Sequence, residues 1–86
     1  MKKYYKRDAE SDLGFGTVYL EFDGEWATRQ VEKYGERWFC SNVEYHEDIG
    51  PALVDQPLSV LELSIENEIS LFEFEEAWEQ AIRYGN

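Results

Sequence analysis

From Thr17 to Phe22 polar and apolar residues alternate, Asp23-Gly24 follows at once, and a second strand-like run leads to Tyr34-Gly35 and a third. Alternation is the signature of a strand with two different faces, and Asp-Gly is the strongest short hairpin signal. Runs joined by such short turns must pair antiparallel with their neighbours in sequence. The segments concerned are Thr17 to Phe22, Glu25 to Lys33, and Arg37 to Val43. Tyr4-Tyr5-Lys6-Arg7 adds a short charged candidate for an N-terminal edge strand, with Asp8 to Gly16 read as the loop after it.

If both turns hold two residues, paired positions sum to 47 across the first hairpin and 69 across the second. One face then collects Val18, Leu20, Phe22, Ala27, Val31, Trp38 and Cys40, with Arg29 among them opposite Val18 and Cys40. The other collects Thr17, Tyr19, Glu21, Trp26, Thr28, Gln30, Phe39 and Ser41. A one-residue shift at Gly35 would exchange the sides of Trp38 and Phe39. Arg29 on an apolar face needs a carboxylate partner, because an unpaired buried guanidinium is very costly. Glu44 and Glu76 are the nearest candidates for this structural ion pair. Tyr19, Trp26 and Phe39 on the opposite face form an aromatic surface that must be covered or used.

The second half carries one unambiguous element. Ser70 and Glu73 have the spacing of a capping box, and Ile69 stands where it can pack on Phe74 as a hydrophobic staple. Leu71, Phe74, Ala77 or Trp78, Ala81 and Ile82 recur at three and four, with Gly85 as terminator. Before it, residues 44–57 contain Gly50-Pro51 and Gln56-Pro57 and no period, which predicts a long loop. Residues 58–65 fit either a strand (Leu61, Leu63, Ile65) or a helical face (Leu58, Leu61, Ile65); the strand is marginally favoured. The whole reads as a single α+β domain: a three- to four-stranded antiparallel β-meander packed against one C-terminal helix.

Charge narrows the function. With 8 bases and 19 acids in 86 residues the net charge is −11, opposite to the basic footprint of phosphate-driven nucleic-acid binding and of polybasic membrane anchors. No run approaches the apolar length of a membrane helix. From Trp38 to Ile82 there are 45 residues without a base and 11 acids, so nearly all the net charge lies in the second half. One-signed surfaces steer oppositely charged partners. Glu75 and Glu79, four apart on one helix flank, are the natural members of such a surface, with Tyr19, Trp26 and Phe39 as the alternative contact.

Catalytic signals are sparse. His46 with Glu44, Glu47 and Asp48 is the one cluster with metal-ligand chemistry, but the carboxylates are adjacent and lack convergent spacing. Gly14-Phe15-Gly16 lacks the rest of a phosphate cradle. Cys40 is the only cysteine, which excludes an intrachain disulfide and points to a reducing compartment, the cytoplasm. The expectation is a non-enzymatic interaction module that needs no cofactor and takes a basic protein partner. Two other classes compete with it: a metal-dependent or small-ligand-binding enzyme centred on His46, and a self-associating structural protein, a homodimer that hides the aromatic face.

Two further stretches carry a resemblance. Tyr19-Leu20-Glu21-Phe22-Asp23-Gly24-Glu25-Trp26-Ala27-Thr28-Arg29-Gln30-Val31-Glu32 contains a Thr-Arg-x-Val-Glu strand. Ile69-Ser70-Leu71-Phe72-Glu73-Phe74-Glu75-Glu76-Ala77-Trp78-Glu79-Gln80-Ala81 contains an Ile-Ser-x-x-x-Phe-Glu-x-x-Trp helix. Together they resemble a family of small bacterial proteins of unknown function, cyanobacterial chains among them. The resemblance runs from about Gly16 to Ala81 and departs at Tyr45-His46 and Pro51 to Gln56. It implies a shared fold and carries no activity, ligand or site residue.

Overall fold

The computed structural model describes residues 2–41, 53 and 56–85. Five strands, β1 (Lys2–Ser11), β2 (Gly14–Asp23), β3 (Trp26–Tyr34), β4 (Arg37–Ser41) and β5 (Glu68–Ile69), precede one helix, α1 (Leu71–Tyr84). They form one antiparallel sheet in the order β4-β3-β2-β1-β5, so the first four strands are a meander and β5 returns to the free edge of β1. The fold is α+β, with five strands where the sequence suggested three to four.

The added strand length comes from the N-terminal hairpin. Asp8 to Gly16, expected as a loop, is mostly ladder: Asp8 faces Thr17, Ala9 faces Gly16 and Glu10 faces Phe15 across a two-residue turn at Asp12-Leu13. Between Lys6 and Ser11 the outer side of β1 pairs with no strand among the described residues, and charged side chains suit such an edge. That is why the apolar alternation is incomplete there.

The second difference concerns register. The turns are Gly24-Glu25 and Gly35-Glu36, one residue later than expected, with both glycines in the left-handed region (φ +67° and +62°). A β-bulge then follows in the first pairing: Phe22 faces Ala27 but Glu21 faces Arg29, leaving Thr28 as the extra residue. One extra residue exchanges the faces of everything beyond it. Val31, Trp38 and Cys40 therefore join Tyr4 and Tyr19, and Arg29 joins Glu21. Val18, Leu20 and Phe22 share their face with Gln30 and Phe39.

Both faces are covered, which gives two small cores. On one side Phe74, Ala77 and Ala81 of α1 bury Val31, with Tyr4, Tyr19, Trp38, Cys40, Ile69 and Trp78 packed around them. On the other, Tyr5, Val18, Leu20 and Phe22 pack with Ala9, Ala27, Leu58, Leu61 and Leu63. The face under the helix thus joins Val31, Trp38 and Cys40 of the expected apolar face to Tyr19 of the opposite one, while Val18, Leu20, Phe22 and Ala27 lie on the other side. The second cover is not a strand, the form marginally favoured for residues 58–65. It contains two short 3-10 turns, Leu58–Val60 and Ile65–Asn67. It is pinned to the Gly24-Glu25 turn, where the Leu58 amide donates to the Glu25 carbonyl (2.8 Å) and the Ser59 hydroxyl to the Glu25 carboxylate (2.8 Å).

The helix begins at its Ser70 cap, whose hydroxyl accepts from the Glu73 amide at 3.1 Å. Glu73 does not return the bond as a capping box would; its carboxylate accepts from Lys6 of β1 at 2.6 Å. Gly85 ends the helix with a negative φ, −98°. Its glycine serves packing, since a Cβ there would collide with the Ala81 and Trp38 carbonyls. Gly16 is a similar case, facing Tyr34 with no room for a Cβ beside the Lys33 carbonyl and the Tyr34 ring.

Candidate functional site

The bulge builds the best-formed polar cluster among the described residues. Because Thr28 and Arg29 both oppose Glu21, two consecutive residues donate to one carboxylate. Arg29 Nε reaches Glu21 Oε1 at 2.9 Å and Nη2 reaches Oε2 at 2.6 Å, a bidentate pair, while Thr28 Oγ1 donates to Oε1 at 2.7 Å. Lys2 Nζ lies 3.8 Å from the same carboxylate. From the helix, Glu75 closes the other side, accepting from Arg29 Nη1 at 3.4 Å and from Nη2 as well. The guanidinium carbon sits 5.0 Å from the Phe74 ring centre and 5.1 Å from that of Trp78.

The electrostatics follow from this crowding. Glu21 is 1% exposed, and burial alone pushes its carboxyl up; the Arg29, Thr28 and Tyr4 donors outweigh this and hold it at about 2. Arg29 is raised by its bonds to Glu21 first and Glu75 second, against desolvation. Burial, then the hydrogen bond to Glu21, pushes the Tyr4 phenol up. Two carboxylates converge here as they would around a metal, but a guanidinium already stands between them. Glu21, held ionised down to about 2, is no general acid or base near neutral pH. The cluster clasps helix to sheet.

Along the other flank of the helix, part of the sheet is left uncovered among the described residues. A cleft of about 190 Å³ runs between Tyr19 and Trp38 of the sheet and Glu73, Glu76, Ala77 and Gln80 of the helix. Ala77 leaves the space that a larger residue would fill. Beyond Tyr19 a second recess is lined by Lys6, Arg7, Asp8, Thr17, Glu66 and Asn67. Beyond Trp38 a third is lined by Lys33, Gly35, Glu36 and Tyr84, and there Lys33 Nζ lies 4.8 Å from the Trp38 ring centre.

The residues singled out from sequence are dispersed. Glu75, expected on a free flank, is engaged by Arg29, whereas Glu79 is exposed and pairs only with Arg83 among the described residues, at 3.0 Å. Tyr19 stands beside the helix; Phe39 lies on the opposite face, near Tyr34 and Arg37. Trp26 is 57% exposed at the end of the β2–β3 hairpin. The aromatic trio therefore forms no single surface. Arg29 is paired by Glu21 and Glu75; of the two candidates named for that role, Glu76 makes no ion pair among the described residues, and Glu44 lies outside them. So do His46, Glu47 and Asp48. Cys40 is half-buried, and burial pushes its thiol up.

Glu21 and the cleft pair Trp38 and Glu76 were not found as site residues by sequence reasoning. For Glu21 a signal existed: in Tyr19-Leu20-Glu21-Phe22 apolar residues occupy both faces, the mark of a strand covered on both sides. An acid there has to be buried and paired. No protein family, no curated protein and no solved structure matches the chain.

Proposed function

We propose that the protein is a small non-enzymatic interaction module whose acidic surface binds a basic protein partner. One observation carries this reading: how the carboxylates of the last third of the chain are used. Between Gln56 and Gly85 stand Glu62, Glu66, Glu68, Glu73, Glu75, Glu76 and Glu79, with Arg83 as the only base. The sheet's cations take Glu73 and Glu75, and Arg83 takes Glu79. Glu62, Glu66, Glu68 and Glu76 stay exposed and form no ion pair among the described residues. Phe72, 85% exposed in the first turn of the helix, adds an apolar contact to the same part of the chain. Unmatched charge beside exposed aromatic surface steers and then retains an oppositely charged partner.

The test separates a placed surface from bulk charge. Association of a labelled hexalysine peptide is followed for the parent chain and for two variants of equal net charge. One carries Glu62 and Glu76 as Gln; the other carries Glu10 as Gln and Asp12 as Asn. The first variant is expected to lose about tenfold in association rate at low salt, the second about threefold or less. Equal losses would overturn the reading.

A further inference from the structure

The strongest alternatives each stop short. Both carboxylates of the Arg29 clasp are already satisfied, so it offers no ligand site. The β4 edge adjoins residues outside the described set. Leu13 and Phe15 are exposed at the tip of the β1–β2 hairpin, but no neighbouring feature selects an occupant. The cleft between α1 and the bare part of the sheet goes further.

We infer that this cleft receives the cationic side chain of the basic partner, held between the rings of Tyr19 and Trp38 with its charge against Glu76. The inference rests on the proposed function and names its point of contact. Four observations support it. First, the walls are two aromatic residues from different strands, brought to one side of the sheet by the bulge; aromatic faces attract cations. Second, the protein already places a cation on Trp38: Lys33 Nζ lies 4.8 Å from the ring centre, approaching from the neighbouring recess, and Lys33 does not line the cleft itself. Third, the two rim carboxylates differ. Glu73 is committed to Lys6 at 2.6 Å, whereas Glu76 has no ion pair among the described residues. A cation entering the cleft thus meets an uncompensated carboxylate beside two rings. Fourth, the flanking recesses continue the cleft at both ends, past Tyr19 and past Trp38, so an extended polypeptide can lie along the helix while one side chain enters. The recesses themselves are balanced, Lys6 and Arg7 against Asp8 and Glu66, and Lys33 against Glu36, so the preference for a basic chain comes from Glu76 and from the net charge of −11.

The experiment uses the full chain and hexalysine at low salt, with backbone and indole NMR signals and an affinity titration. Binding should shift the Trp38 indole N–H and the backbone signals of Tyr19, Ala77 and Gln80. Glu76→Gln should weaken binding about fivefold, and Glu79→Gln, on the same helix with the same charge change, by less than about twofold. Tyr19→Leu keeps an apolar wall but removes the ring face, and should weaken binding about threefold at a temperature where its melting curve shows it fully folded. Binding weakened equally by Glu76→Gln and Glu79→Gln, with shifts centred on Phe72 and Glu79, overturns the cleft while leaving a basic partner in place. No binding of hexalysine by the parent chain overturns both.

Discussion

Arg29 concentrates the physics of this chain in one side chain. It ties β3 to β2 through Glu21 and the sheet to the helix through Glu75, and it is sealed by Phe74 and Trp78. Removing one partner of a buried pair leaves the other charged and dry, so Arg29→Ala is expected to cost about 3 kcal/mol, read as a lower urea midpoint. Glu75 is nearly half exposed and its amide analogue still accepts a bond, so Glu75→Gln should cost less than about 1 kcal/mol. The same cluster sets an acid limb. Glu21 titrates at about 2 when folded against an ordinary 4.5, so its stabilisation is complete above the unfolded value and disappears as pH falls through the folded one. That difference corresponds to roughly 3 kcal/mol lost between about pH 4.5 and pH 2. Denaturation at several pH values should show that slope in the parent and a flatter one in Glu21→Gln.

Among the elements, the helix start was the most legible in sequence because it is encoded within six residues, Ile69 to Phe74. Ser70 caps it, Ile69 shares a cluster with Phe74, and the apolar spacing continues to Ala81. Ser70→Ala should therefore lower stability by about 1 kcal/mol. Glu73→Ala should cost less, about 0.5 kcal/mol, since its carboxylate serves an exposed pair with Lys6 and not the cap. Thermal melts of the two variants check the order; a larger loss for Glu73→Ala would mean a reciprocal box in solution. The strands were legible wherever alternation and a Gly turn coincide. What sequence did not disclose is the bulge. Its extra residue is fixed by Glu21 meeting Thr28 and Arg29 across strands, and no local pattern announces it. From that single residue followed the splitting of the expected apolar face between two cores, the wrong partner for Arg29 and the false unity of Tyr19 and Phe39. Residues 58–65 were ambiguous because Leu61, Leu63 and Ile65 alternate as a strand while Leu58, Leu61 and Ile65 fit a helical face, and only the docking of Leu58, Leu61 and Leu63 on Tyr5, Val18, Leu20 and Phe22 decides.

For the molecule as a whole, the balance of charge predicts a response to salt. The exposed pairs Lys6–Glu73 and Arg83–Glu79 contribute little each, and the buried Arg29–Glu21 bond is poorly screened. The larger effect is mutual repulsion among acids in a chain of net charge −11. Raising sodium chloride from about 0.02 M to about 0.3 M should thus raise the melting temperature by a few degrees. A fall would mean that the paired charges dominate. No helix among the described residues is long and apolar enough to cross a membrane.

The pairing of β1 with β5 brings Tyr4 opposite Ile69, so the first strand is completed by residues made about 65 positions later. Contacts so distant in sequence form late, because the entropy of closing the intervening loop opposes them until the rest of the sheet is in place. On a ribosome, the meander can pair while α1 is still inside the exit tunnel, with Val31 and Tyr4 uncovered and Glu21 already held by Arg29. The chain then has a vulnerable interval in which one face of its sheet is open to chaperones or to other nascent chains, and that interval ends when Phe74 arrives.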